Sequence, residues 1–112
     1  MMRLTFYTGS EEETGAGNIF NAPLKTGIKG KEFLKIFEQK VLNPIDKFKP
    51  EVILISAGFD AHTRDPLASI NLESKDFYEI TKKIVDLANV HSEGRIISFL
   101  EGGYDLLALS ES

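Results

Sequence analysis

Two short stretches hold the side chains best suited to chemistry. In Ser56-Ala57-Gly58-Phe59-Asp60-Ala61-His62 a carboxylate and an imidazole stand two residues apart, and in Gly102-Gly103-Tyr104 a phenol follows two glycines. Asp60 offers hard oxygen donors that can bind Zn²⁺, and an Asp-x-His pair can supply two ligands. The same carboxylate can equally cap a turn by accepting backbone N–H bonds, and His62 can equally be a packed loop histidine that supports a ligand without binding metal itself. Tyr104 is suited to donate a hydrogen bond to a developing oxyanion, with the glycines leaving room for a substrate to approach the backbone. Its plainer reading is a half-buried tyrosine beside a turn. The only other histidine, His91, falls at a predicted helix end, so a full metal shell is hard to assemble from these residues.

Both stretches follow apolar runs that must position them. Val52-Ile53-Leu54-Ile55 is mostly β-branched and too short for an ordinary helix, which predicts a strand covered on both faces of a parallel sheet. Arg95 to Leu100 predicts a second strand. Between them Ser74 to Val90 reads as a helix, with Ser74 as N-cap, an apolar stripe of Phe77, Ile80, Ile84, Leu87 and Ala88, and Ser92-Glu93-Gly94 as its stop. Strand, helix, strand predicts a right-handed parallel crossover, which brings Asp60 and Tyr104 to one rim at the carboxyl ends of the strands. Ligands gather at that rim in open α/β sheets.

Upstream, Arg3 to Tyr7 suits an edge strand, and Asn18 to Leu24 suits a strand entering a turn at Pro23. The loop between them, GSEEETGAG, lacks the third glycine and following helix of a dinucleotide fingerprint. Lys31 to Phe48 is a helix by the spacing of Phe33, Leu34, Phe37, Val41, Leu42 and Ile45, with Pro44 expected to kink it or restart it with Asn43 as cap. Phe33, Phe37 and Phe48 are read as core. Leu106 to Ser110 resembles the start of another helix. The chain has 112 residues, one domain at most, with a net charge of −4 and scattered lysines, which argues against nucleic acid and against a polybasic membrane patch. It contains no cysteine and no apolar run of membrane-spanning length, so a cytoplasmic protein without membrane association is expected.

SAGFDAHTRDPLASINL, from Ser56 to Leu72, FLEGGYDLLAL, from Phe99 to Leu109, and TGAGNIFNAPLKTG, from Thr14 to Gly27, resemble blocks of the zinc-dependent histone deacetylase family. The branch resembled is the bacterial and class II type, which includes acetylpolyamine amidohydrolases. The resemblance implies an α/β fold, a parallel sheet with flanking helices, as part of the arginase-deacetylase type. It also implies a zinc ion, held by two aspartates and a histidine, that activates water to hydrolyse an acetyl amide. On this resemblance Asp60 falls at the second ligand aspartate and Tyr104 at the tyrosine that stabilises the oxyanion. Phe59, Gly102 and Gly103 fall at the substrate-binding rim, and His62 at a position that supports the site without being a metal ligand. The family's other two ligands and its His-His pair lie upstream of the segment resembling TGAGN. Residues 1–112 therefore read as the carboxyl-side portion of a deacetylase catalytic domain, with an incomplete zinc site. Such a chain is expected to need a missing amino-side segment to act on an acetylated lysine or acetylated polyamine. It is expected to be inactive alone and to leave strand faces uncovered. The alternative is a non-catalytic remnant or interaction module of the same fold.

Overall fold

The computed structural model describes residues 3–7, 17–59, 62, 70–103 and 106–111. Among the described residues the strands are β1 Arg3–Tyr7, β2 Ile19–Pro23, β3 Ile53–Ala57 and β4 Ile96–Leu100. The helices are α1 Gly30–Phe37, α2 Asn43–Phe48, α3 Ser74–His91 and α4 Leu106–Glu111. Among the described residues the strands pair as two parallel ladders, β1 with β2 and β3 with β4. The expected strand–helix–strand unit is present as β3, α3 and β4.

The first helical run passes through its proline by widening. Pro44 has no N–H to give to the carbonyl four residues back, and the preceding turn, Glu38–Leu42, is a π-helix in which the Asn43 N–H reaches Glu38 O. Asn43 keeps helical angles, φ −62° and ψ −45°, so it is not the cap that the sequence suggested. The run ends at Lys49, whose φ of 54° turns the chain toward β3. One stripe of this run buries Phe33, Phe37, Val41 and Ile45, which form one core with Leu24, Ile28, Ile53, Leu72, Phe77 and Ala88. Phe33 and Phe37 are thus core residues as read from their spacing, whereas Phe48 is 49% exposed.

Helix α3 starts one residue earlier in its capping than expected. Glu73, extended at φ −103°, is the N-cap, and its N–H donates to the Asp76 carboxylate at 2.8 Å. Ser74 is the first helical residue and its hydroxyl is used elsewhere. Asp76 is buried and lies against Gly30 at the start of α1, where any Cβ would overlap the carboxylate. At the other end Ser92, fully buried, donates its hydroxyl to Pro50 O at 2.6 Å, and the Gly94 N–H donates to Ala88 O at 3.0 Å with Gly94 at φ +75°. These bonds pin the end of α3 to the start of β3, and the Ile53 N–H donates to Arg95 O at 3.0 Å to begin the ladder.

Among the described residues strand β3 is covered on one face, not the two its apolar run predicts by itself, in line with the expectation that this chain leaves strand faces uncovered. Ile53 is buried and Ile55 packs on the core, while Val52 and Leu54 are 48% and 64% exposed. In strand β4 only Ile96 packs on the core, and Ile97, Phe99 and Leu100 are 51%, 57% and 62% exposed. The core cluster draws on α1, the π turn, α2 and α3, all packed on the inner side of this ladder, so the outer side has no cover among the described residues.

Candidate active site

The carboxyl ends of β3 and β4 meet because their parallel register pairs Ile53 with Ile96 and Ala57 with Leu100. Pairing continues past the strands: the Glu101 N–H donates to Ala57 O at 2.8 Å, and the Phe59 N–H donates to Gly102 O at 2.8 Å. The segments leading into positions 60 and 104 are therefore stitched to each other backbone to backbone. Gly103 has φ +135°, a conformation open to glycine and rarely to other residues, so the second glycine of the pair sets how the chain leaves the strand. Asp60 and Tyr104 lie outside the described residues. The expectation that both face a shared cleft rests on their neighbours Phe59 and Gly103.

His62 holds this turn against α3. Its N–H donates to Phe59 O at 3.2 Å, its Nε2 lies 3.2 Å from Ser74 Oγ, and its ring stacks on Phe77 at 6.1 Å with 7° between planes. The side chain is 3% exposed. Phe59 is half-buried, its ring 5.2 Å from that of Phe77, so the two aromatic groups flanking position 60 rest on one α3 residue. Next to His62, Leu72 forms an isolated parallel bridge with it and is nearly fully buried, while the Asn71 N–H donates to Ile28 O at 3.0 Å. Sequence reasoning identified His62 but missed its partners Ser74 and Phe77, because a contact across twelve residues has no local pattern. The reciprocal Glu73–Asp76 box that displaces Ser74 from the cap does not follow the usual Ser/Thr-x-x-Glu pattern, so residue types alone favoured Ser74.

Residues 4–112 match the histone deacetylase domain family. The chain belongs to this family. Among curated deacetylase relatives it is 41% identical over 98 residues to "Histone deacetylase 14, chloroplastic" of Arabidopsis thaliana, covering 88% of this chain and 23% of that protein. It is 36% identical over 101 residues to "Histone deacetylase-like amidohydrolase" of Pseudomonas aeruginosa, covering 88% of this chain and 27% of that protein. The structure described as "Crystal Structure of HDA15 HD domain" superposes with a TM-score of 0.87 at 28% identity, over 98% of this chain and 34% of that one. The chain thus spans about a quarter of the length of these curated deacetylases. The parallel β3–β4 ladder with helices packed on it is consistent with part of the arginase-deacetylase fold.

Histone deacetylases are generally zinc-dependent, and the donors of this chain can be tested for that ion. Among the described residues no group of three or more His, Cys, Asp and Glu side chains could hold a metal. His62 is buried between Ser74 and Phe77, and His91 lies at the far end of α3, its Nε2 2.8 Å from Asp46 Oδ1. Among the described residues neither histidine belongs to a group that could hold zinc; Asp60, the candidate ligand, lies outside them, and a catalytic zinc takes three protein ligands. No described helix is long and apolar enough to cross a membrane.

Proposed function

We propose that residues 1–112 form the carboxyl-side half of the active-site rim of a deacetylase domain that hydrolyses the acetyl amide of an acetylated lysine or acetylated polyamine. Water adds to the acetyl carbonyl, the C–N bond breaks, and acetate and the free amine leave. The observation that carries this reading is the bond from the Phe59 N–H to Gly102 O, which joins the two family blocks beyond the ends of β3 and β4.

In this reading Tyr104 donates its hydroxyl hydrogen bond to the oxyanion that forms as water adds. Asp60 is one metal-ligand position of an incomplete set, and Gly102, Gly103 and the backbone of Phe59 shape the rim. His62 acts through its neighbours: it fixes the turn that carries Asp60 to the start of α3, and it is a positioning residue. The protein works where proteins carry no disulfides, in the cytoplasm, and its partner is an amino-side segment of the same domain. Nucleic acid and membranes are not partners.

The test is hydrolysis of an acetyl-lysine peptide, with zinc supplied, by the 112-residue chain alone and by the chain joined to the amino-side segment of a deacetylase relative. The joined protein is expected to turn over and the chain alone is not. In the joined protein Tyr104→Phe is expected to lower turnover by about 10²–10³-fold, and Asp60→Ala to abolish the zinc-dependent turnover. Turnover by the chain alone, indifferent to both substitutions, would overturn the assignment.

A further inference from the structure

Ser74 and Phe77 stand three residues apart in the first turn of α3, which puts both on one side of the helix, and both side chains meet the chain beyond β3. Phe77 is buried, and its ring lies 5.2 Å from that of Phe59 and 6.1 Å from that of His62, within the range where aromatic groups attract one another. Ser74 Oγ lies 3.2 Å from His62 Nε2. One helical turn therefore holds the residues on both sides of positions 60 and 61, and the His62 N–H joins them by donating to Phe59 O at 3.2 Å.

That turn is itself fixed. The Glu73 N–H donates to Asp76 at 2.8 Å in the reciprocal cap, Asp76 is buried against Gly30, and the Asn71 N–H donates to Ile28 O at 3.0 Å. None of these contacts uses a residue of the rim, so the start of α3 takes its place from the start of α1. On the other side, the path to the second rim segment is one hydrogen bond long: the Phe59 N–H donates to Gly102 O at 2.8 Å, two residues before Tyr104 in sequence. A shift of the Phe59 ring moves the donor that Gly102 accepts from, because ring and N–H belong to one residue.

We infer that Ser74 and Phe77 are positioning residues of the rim: acting through His62 and Phe59, they set where the Gly102–Gly103 segment that leads to Tyr104 stands. The effect on turnover rests on the proposed role of Tyr104, whereas the effect on backbone pairing does not. An oxyanion donor stabilises developing charge only from within hydrogen-bond distance, and a misplacement of about 1 Å caused far from the chemistry can cost about 10²-fold in rate.

In the 112-residue chain, amide exchange is read residue by residue by NMR. Ser74→Ala is expected to speed exchange at Phe59 and His62 by about tenfold while Ala88, near the other end of α3, keeps its rate. Ser74→Thr, which retains a hydroxyl, is expected to restore the parent rates. In the joined protein, Ser74→Ala and Phe77→Leu are expected to lower kcat by about 10–100-fold with KM changed by less than about twofold, and Ser74→Thr to recover kcat. Val41→Ala separates positioning from mere stability: the residue is buried in the π turn, and its truncation is expected to lower the unfolding midpoint and leave kcat as it was. Parent exchange rates at Phe59 in Ser74→Ala would overturn the inference whether or not the joined protein turns over. So would faster exchange there with kcat unchanged, since the pairing would then not place the oxyanion donor. A joined protein without turnover, in which Ser74→Ala still speeds exchange at Phe59 and Ser74→Thr restores it, supports the positioning of the rim and removes the catalytic reading.

Discussion

Strand β3 presents two unlike faces, and the contrast separates what this chain supplies from what it requires. On the inner face Ile53 and Ile55 meet a layer built within the chain itself, from the helical run of residues 30–48 and from α3. On the outer face Leu54, equally apolar, is 64% exposed. The two faces differ in their cover: the inner is closed by helices that directly precede and follow the strand, whereas the outer has no cover among the described residues. The candidate catalytic rim belongs to the edge where these faces meet. Its backbone pairing, as between Phe59 and Gly102, is made within the chain.

The largest expected effect tests this difference directly. Phe37 is 2% exposed, and Phe37→Ala should cost about 3–5 kcal/mol in urea unfolding of the 112-residue chain. Leu54→Ala in the same chain should change stability by less than about 0.5 kcal/mol, because the side chain has little contact to lose. Equal losses at the two positions would mean that the outer face is packed in solution. Gly30→Ala comes next. Its methyl group would overlap the Asp76 carboxylate, disturbing both the start of α1 and the cap of α3, at about 2–3 kcal/mol by the same measurement.

His62→Ala sharpens the comparison at the rim. It removes the stack on Phe77 and the bond to Ser74, about 1–2 kcal/mol together, and should speed amide exchange at Phe59 while leaving exchange in α2 unchanged. The smallest effect concerns two surface pairs with opposite pH dependence. Lys83 bonds Glu38 at 2.6 Å and ties α3 to the π turn; the bond to Glu38 raises the Lys83 pKa above its ordinary 10.5. Its contribution is complete below pH 10.5 and fades as pH rises through the raised value, so Lys83→Met should lower the unfolding midpoint slightly at pH 8 and leave it unchanged in strong alkali. Glu73 has its pKa lowered by the hydrogen bond from Lys75 and then by its charge, so that pair contributes above the ordinary glutamate range and loses its effect as pH falls through the lowered value. Both side chains of that pair are exposed, and Lys75→Met should shift the midpoint least of all.

Much of this protein was readable from residue order, for an identifiable reason. Apolar runs, helical spacing, glycine stops and the motif blocks around Asp60 and Tyr104 are local patterns, and local patterns were enough to place the helical run of residues 30–48, α3, β3, β4 and their parallel order. The blocks pointed to the histone deacetylase family, and the match over residues 4–112 bears that out. Local pattern failed where a residue had more than one possible partner. Ser74 is a good cap by type, yet Glu73 is the cap, in a reciprocal box with Asp76, and Ser74 faces His62. Asn43 is a good cap by type, yet the π turn let the helix pass through Pro44 with no cap at all. The run Val52 to Ile55 announces a strand fit for cover on both sides, but the residues cannot say which side their own chain will cover. That was decided only in three dimensions, because burial depends on which distant segments arrive, and among the described residues those packed on β3 lie on one side.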